Sequence, residues 1–195
     1  MQLPYPEEAW KEIPKIFWSD LNQLPFQTCL MCNTNFEESQ QPYLIEKAVK
    51  GIVGGQALST VFEYAVCLGC AEQMNLSLSE SSRIKIAQYF ETHIHFNARR
   101  EALQDAEQSE WIKNCLVKHR PPREQEECQL YAFCLGDKML YHEFPYMITS
   151  EALDEMLQLL SAKTLDILNG FKDDFFDGPP ELKELLEKGG PKVLL

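Results

Sequence analysis

Two Cys-x2-Cys pairs, Cys29 with Cys32 and Cys67 with Cys70, stand in the first half of the chain with 34 residues between them. A two-residue spacer lets both thiolates of a pair converge on one ion while the intervening backbone amides point toward sulfur, and two such pairs fill a tetrahedron. The set suits Zn²⁺, which accepts four sulfurs at about 2.3 Å, and four protein ligands leave no position for water or substrate. The expectation is one structural zinc held by Cys29, Cys32, Cys67 and Cys70. Redox thiols and an iron-sulfur cluster are the competing uses of such cysteines. A thioredoxin-like centre, however, needs one dithiol in a βαβ setting, and here two pairs bracket a predicted hairpin.

That hairpin is read from "PYLIEKAVKGI" and "TVFEYAV", two extended runs joined by the glycine-containing "VGGQALS". After the second pair, Ser77 with Glu80 three residues on offers a capping box for a long helix, with Ile84, Ala87, Phe90, Ile94 and Ala98 at helical spacing. A Cys pair on a turn, a hairpin, and a Cys pair opening a helix resembles the treble-clef zinc fold over residues 27–95. The resemblance implies a fold and a metal. It implies no single activity, because function on such a scaffold lives in sites added to it.

The expected fold class is therefore α+β: a treble-clef-like zinc domain, a long connecting helix, and a C-terminal hairpin with helices. Residues 1–26 read as a helical arm, with Trp10, Ile13, Phe17 and Leu21 spaced for one or two short helices interrupted near Pro14. Residues 27–120 form the zinc domain with the long helix, which runs, with a break near "HFN", to about Val117. The prolines and charges of "HRPPREQEE" end it. Residues 121–195 hold a second hairpin around Gly136-Asp137, a helix capped by Thr149 or Ser150 and ended by Asn169-Gly170, and an acidic tail.

The frame Tyr-Ala-x-Cys-Leu-Gly occurs twice, at residues 64–69 and 131–136, and Asp137 stands where the first copy has Cys70. No Cys-x2-Cys precedes the second copy, so it reads as a strand running into a turn. A second zinc site from Cys115, His119, Cys128 and Cys134 would have poor ligand spacing. His93 and His95 fall in a helical pattern, where residues two apart point different ways. The free Cys115, Cys128 and Cys134 are nucleophiles only in principle, since reactivity needs an electropositive neighbourhood and Glu124, Glu126 and Glu127 crowd Cys128. No nucleophile elbow, phosphate-binding loop, dinucleotide fingerprint or zinc-protease motif is present.

Seven cysteines with no secretory signal argue against a disulfide framework, and no run is long and apolar enough to span a membrane. The cytoplasm is the expected location. Net charge is −12, of which residues 121–195 carry −8, a balance that repels a phosphate backbone. A nucleic-acid partner would require Lys47, Lys50, Arg83, Lys85, Arg99 and Arg100 to gather on one face. The expected function is a zinc-stabilised protein-interaction module with no catalytic residues and an unidentified protein partner. The alternatives are a nucleic-acid-associated regulator, or an enzyme assembled from distant residues such as His93, His95 or His142. The aromatics Phe171, Phe175 and Phe176, among Asp173, Asp174 and Asp177, either dock on their own domain or meet the partner.

Overall fold

The structure, a computed structural model, describes residues 5–53 and 56–176. Both expected hairpins are present. β2 (Tyr43–Val53) pairs antiparallel with β3 (Gln56–Cys67), and β4 (Glu127–Leu135) pairs with β5 (Lys138–Leu140). Gly136 makes the second turn with φ of 56°, a conformation that glycine adopts without a Cβ clash.

The hairpins then merge. β2 pairs with β4 from Tyr43 to Lys50, so strands on either side of residue 120 share one antiparallel sheet. β1 (Trp10–Glu12) extends it beyond β5, and β6 (Tyr146–Thr149) lies along the first part of β4.

This pairing explains the repeated frame. Glu46 lies opposite Tyr64 on one side and Tyr131 on the other, Ile45 opposite Ala65 and Ala132, and Tyr43 opposite Cys67 and Cys134. The two copies flank the same four residues of the central strand in the same register. Each meets the same side chains, and each therefore uses the same residue types: a small Ala beside Ile45, a compact thiol beside Tyr43. The copies diverge where the flanking strands end, into a helix after Cys67 and a tight turn after Leu135.

Residues two apart on a strand share a face, so the row Tyr64, Glu46, Tyr131, Tyr146 projects from one side of the sheet. Tyr64 donates a 2.6 Å hydrogen bond to Glu46, a carboxylate only 1% exposed. Helices cover this face, with Phe171 set edge-on against Tyr64 at 5.7 Å. The other face carries Ile45, Lys47 and Tyr43, and the N-terminal arm closes over it.

That arm departs from the helical expectation. Pro6 and Pro14 each precede a single 3-10 turn, Glu7–Ala9 and Lys15–Phe17, and the residues between form β1. Pairing with β5, extended by Tyr141 N–H donating to Ala9 C=O at 2.7 Å, satisfies backbone groups that a short helix would leave open. Ile13 and Phe17 are buried beneath it.

The long helix is divided. After α1 (Phe36–Ser39) and the hairpin come α2 (Leu68–Ser77), α3 (Glu80–His93) and α4 (Phe96–Leu103), then a 3-10 turn at Gln108–Ile112. The cap of α3 is Ser79, whose hydroxyl accepts from Ser82 N–H, and Ser77 is instead the last residue of α2. Extended backbone at Leu78 and Ile94 makes the breaks, and Ile94 is buried there. At the C-terminal end, α5 (Ser150–Gln158) follows Thr149, and α6 (Ala162–Phe176) runs through Asn169-Gly170 without stopping. Burial of Leu168 and Phe171 on either side of that dipeptide outweighs its weak helix propensity.

The "HRPPREQEE" crossing to β4 is held by Arg120, which grips both carboxylate oxygens of Glu126 at 2.9 Å and reaches Glu151 at 2.6 Å. These hydrogen bonds from Arg120 hold the Glu126 carboxyl below the usual carboxylate range, against partial burial. A depressed pKa contributes stability that is present above the unfolded-state value, near 4, and lost as pH falls through the folded-state value. Glu126→Gln should therefore cost about 1–2 kcal/mol near neutral pH. In paired denaturant titrations the gap between variant and parent should close below about pH 4. A gap that persists undiminished would contradict this assignment.

Candidate metal centre

Residues 28–35 form a knuckle before any metal is considered. Cys29 N–H donates to Thr34 C=O and Asn33 N–H to Cys29 C=O, both at 2.9 Å, with Asn33 at φ of 58° closing the turn. Asn35 then caps α1 by accepting from Glu37 and Glu38 N–H. Leu30 N–H donates to Ala65 C=O at 2.8 Å, tying the knuckle to β3 two residues before Cys67. Phe36 stacks on Tyr43 at 4.0 Å and seats it against the sheet. Cys67 is the N-cap of α2 and Cys70 lies in its first turn, where exposed N–H groups and the helix dipole favour negative charge.

The four sulfurs lie within 4.8 Å of one another. Tetrahedral ligation at about 2.3 Å requires sulfurs about 3.8 Å apart, and Cys32 and Cys67 stand at 3.8 Å. Cys67 N–H also donates to Cys29 Sγ at 3.3 Å. Cys29 and Cys67 are buried, Cys70 is half-buried and Cys32 is exposed, so the cluster has an enclosed base and one solvent edge. The four cysteines can hold a metal ion.

Electrostatics show why this cluster suits a cation. Hydrogen bonding to Thr34, whose hydroxyl lies 3.1 Å from the sulfur, draws the Cys32 thiol down to about 6. Burial and the neighbouring thiols push Cys70 upward, and burial does the same for Cys67. One thiolate forms readily and the next are opposed. A bound cation removes that opposition by neutralising the charges as they form.

The other candidate residues are dispersed. Cys115 accepts at 3.4 Å from Thr149 N–H and from Lys118 N–H, His119 turns its ring to the His93 carbonyl at 3.0 Å, and Cys134 is buried beside Tyr43. Burial pushes the Cys128 thiol up to about 12, which keeps it protonated and a poor nucleophile. Among the described residues Cys115, His119, Cys128 and Cys134 form no metal-binding group; only the four N-terminal cysteines do. Cys134→Ser should thus keep its metal and lose only about 1–2 kcal/mol, read as zinc content beside a melting curve. Metal loss comparable to that of Cys70→Ser would make the second frame a site.

His93 closes α3 with its ring on Tyr89 C=O, His95 precedes α4, and His142 accepts from Arg100. The basic residues do not all gather outward. Lys47 is 1% exposed, and its ammonium donates to Trp18 C=O at 2.8 Å and Asp20 at 2.7 Å, with Glu63 at 3.0 Å. Arg99 lies over the Trp111 ring at 4.8 Å and donates to Trp111 and Pro145 carbonyls at 2.7 Å; burial lowers its pKa to about 10.

Neither internal cation is recognisable from the sequence: Arg99, with Arg100 and Glu101 beside it, reads as part of a solvated helix face, and Lys47 lies in a predicted strand with no partner in view. A hydroxyl cluster, Ser79, Ser82, Ser161 and Thr164, joins the starts of α3 and α6 in the same unannounced way. No helix among the described residues is long and apolar enough to cross a membrane. Comparison with family models, with curated proteins and with solved structures finds no match for this chain.

Proposed function

We propose that the chain is a zinc-stabilised protein-interaction module on a treble-clef-like core, with no chemistry of its own at the metal. The closed four-sulfur set carries this reading, since four protein ligands leave a metal no open position for substrate. Knuckle, β2–β3 hairpin and Cys-opened α2 follow one another in the order that a treble clef requires. Four thiolate donors within tetrahedral reach of one another suit zinc, which accepts all-sulfur ligation. Zinc here would fasten the knuckle to α2, fixing the end of β3.

The contact surface we propose is the end of α6. Phe171 is buried against Tyr64, whereas Phe175 is 36% exposed and Asp173 and Asp174 are exposed beside it. Phe176 has no described side chain, and Asp177 and the rest of the acidic tail lie outside the described residues. An aromatic ring rimmed by carboxylates suits a partner with an apolar anchor and basic neighbours, whose binding weakens with salt. A variant combining Phe175→Ser and Asp174→Lys tests this, because it leaves Phe171 and the cysteines in place. Capture of specific proteins from the native host should be salt-sensitive in the parent and lost in the variant, with zinc retained in both. Capture unchanged by the substitutions, or capture of nucleic acid alone, would overturn the reading.

A further inference from the structure

A cavity of about 430 Å³ lies between the helical layer and the sheet face that carries Tyr131 and Tyr146. Its walls are mainly apolar: Ile86 and Phe90 of α3, Tyr146 and Ile148 of β6, Met156 of α5 and Leu168 of α6. Its size and lining fall within the range of small-molecule sites, roughly 300–1,000 Å³ and dominated by hydrophobic and aromatic side chains.

One part of the wall has the opposite character. Arg83 lines the cavity with its Nε shielded from solvent and without a hydrogen-bond partner. Among the described residues no carboxylate pairs with its guanidinium. Ser82, the adjacent lining residue, belongs to the hydroxyl cluster where the N-termini of two long helices meet, with Ser79 and Ser161 oxygens 2.8 Å apart. Both helix dipoles thus point their positive ends at the same region. Glu80, in the same turn of α3, is exposed and does not line the cavity, and the Glu46 carboxylate is engaged by Tyr64. In a chain of net charge −12, a half-buried arginine whose Nε is shielded and, among the described residues, without a partner, standing beside two helix N-termini at the wall of an apolar cavity, is a provision for an anion.

We propose that this cavity binds a small amphipathic monoanion, a carboxylate with an apolar body, its charged end on Arg83 and its body along Ile86, Phe90, Tyr146 and Leu168. The guanidinium presents the planar donor fork that matches a carboxylate, and the low-polarity walls strengthen that contact. The proposal is independent of the metal and of the α6 surface.

The test uses the full, metal-loaded chain and two probes of equal length, decanoate and decan-1-ol, titrated by calorimetry with backbone-amide shifts locating the site. Decanoate is expected to bind one-to-one, shifting residues 82–90 and 146–148, about ten- to a hundredfold more tightly than the alcohol. Arg83→Gln should bring the two affinities together, a change that a purely structural role for Arg83 would not produce. Ile86→Trp, which fills the chamber, should abolish both. If Ile86→Trp fails to fold, the Arg83→Gln ratio alone decides. Equal affinity of the parent for both probes, a ratio unaltered in Arg83→Gln, or no binding of either probe at millimolar concentration would each overturn the proposal. So would decanoate binding that emerges only when residues 177–195 are removed, which would make the chain's own tail the occupant.

Discussion

Cys70→Ser is expected to lose its zinc and with it the fold of the knuckle and α2. Ligation and folding are coupled in structural sites, whose apparent binding free energy is about 10–16 kcal/mol, so losing one of four thiolates forfeits several kcal/mol. The elements that a bound metal would hold are identifiable. Residues 28–36 reach the sheet through the Leu30-to-Ala65 backbone hydrogen bond, through Cys67 N–H donating to Cys29 Sγ, through Phe36 on Tyr43 and through the apolar contacts of Leu30 and Met31. α2 has Ala71 and Met74 as its buried residues. Neither contact set is large enough to hold four crowded thiols together unaided. Hydrogen exchange in residues 28–39 and 68–77 should therefore accelerate by orders of magnitude in the variant, and equally in the parent after chelation. Unchanged protection there, with the thiols reacting freely, would show that packing alone builds the knuckle.

The second large effect is expected at Lys47, far from the cysteines in function but on the same side of the sheet. Its ammonium is the junction between β2, β3 and the arm: it meets Trp18 C=O, Asp20 and Glu63, while Glu63 also accepts from Ser19 Oγ at 2.8 Å and Asp20 N–H at 2.7 Å. Lys47→Met keeps the side-chain length and removes the charge, leaving a largely buried Glu63 carboxylate unopposed. Breaking a buried pair in this way costs about 3–5 kcal/mol. The half-exposed Asp20 can find water, which places the expected loss near 3 kcal/mol. Removing both charges with Lys47→Met and Glu63→Leu should recover part of that loss, because an uncompensated buried charge costs more than an apolar replacement of the pair. Denaturant midpoints of the two variants, with limited proteolysis of residues 13–24, would check it. A single variant within 0.5 kcal/mol of the parent, about the ordinary scatter of surface changes, would contradict the junction.

Much of this architecture was legible in local pattern. The extended runs "PYLIEKAVKGI" and "TVFEYAV" with their glycine-containing loop, and the turn at Gly136-Asp137, carry both hairpins, and the Cys spacing carries the cluster. What stayed hidden depends on partners distant in sequence. β1 is three residues between prolines, and only β5, more than 120 residues away, makes it a strand.

Glu46-Lys47 reads as a polar interruption of β2, yet both side chains are buried, on opposite faces, because Tyr64 and the Lys47 junction are supplied by the fold. The break at Ile94 falls beside the "HFN" where the sequence places one, whereas the break at Leu78, which separates α2 from α3, precedes the helical pattern that starts at Ile84. One signal for the joined sheet was present. Two copies of Tyr-Ala-x-Cys-Leu-Gly are what a central strand flanked twice in one register would select, whereas each copy by itself reads only as a strand running into a turn.

Elemental analysis of the folded chain, purified without added metal and read beside a thiol titration under native conditions, tests the central claim most directly. The account predicts one zinc per chain, four thiols protected until a chelator is added, and the same result for Cys134→Ser. A folded protein containing no metal, with Cys29, Cys32, Cys67 and Cys70 all freely reactive, would contradict it.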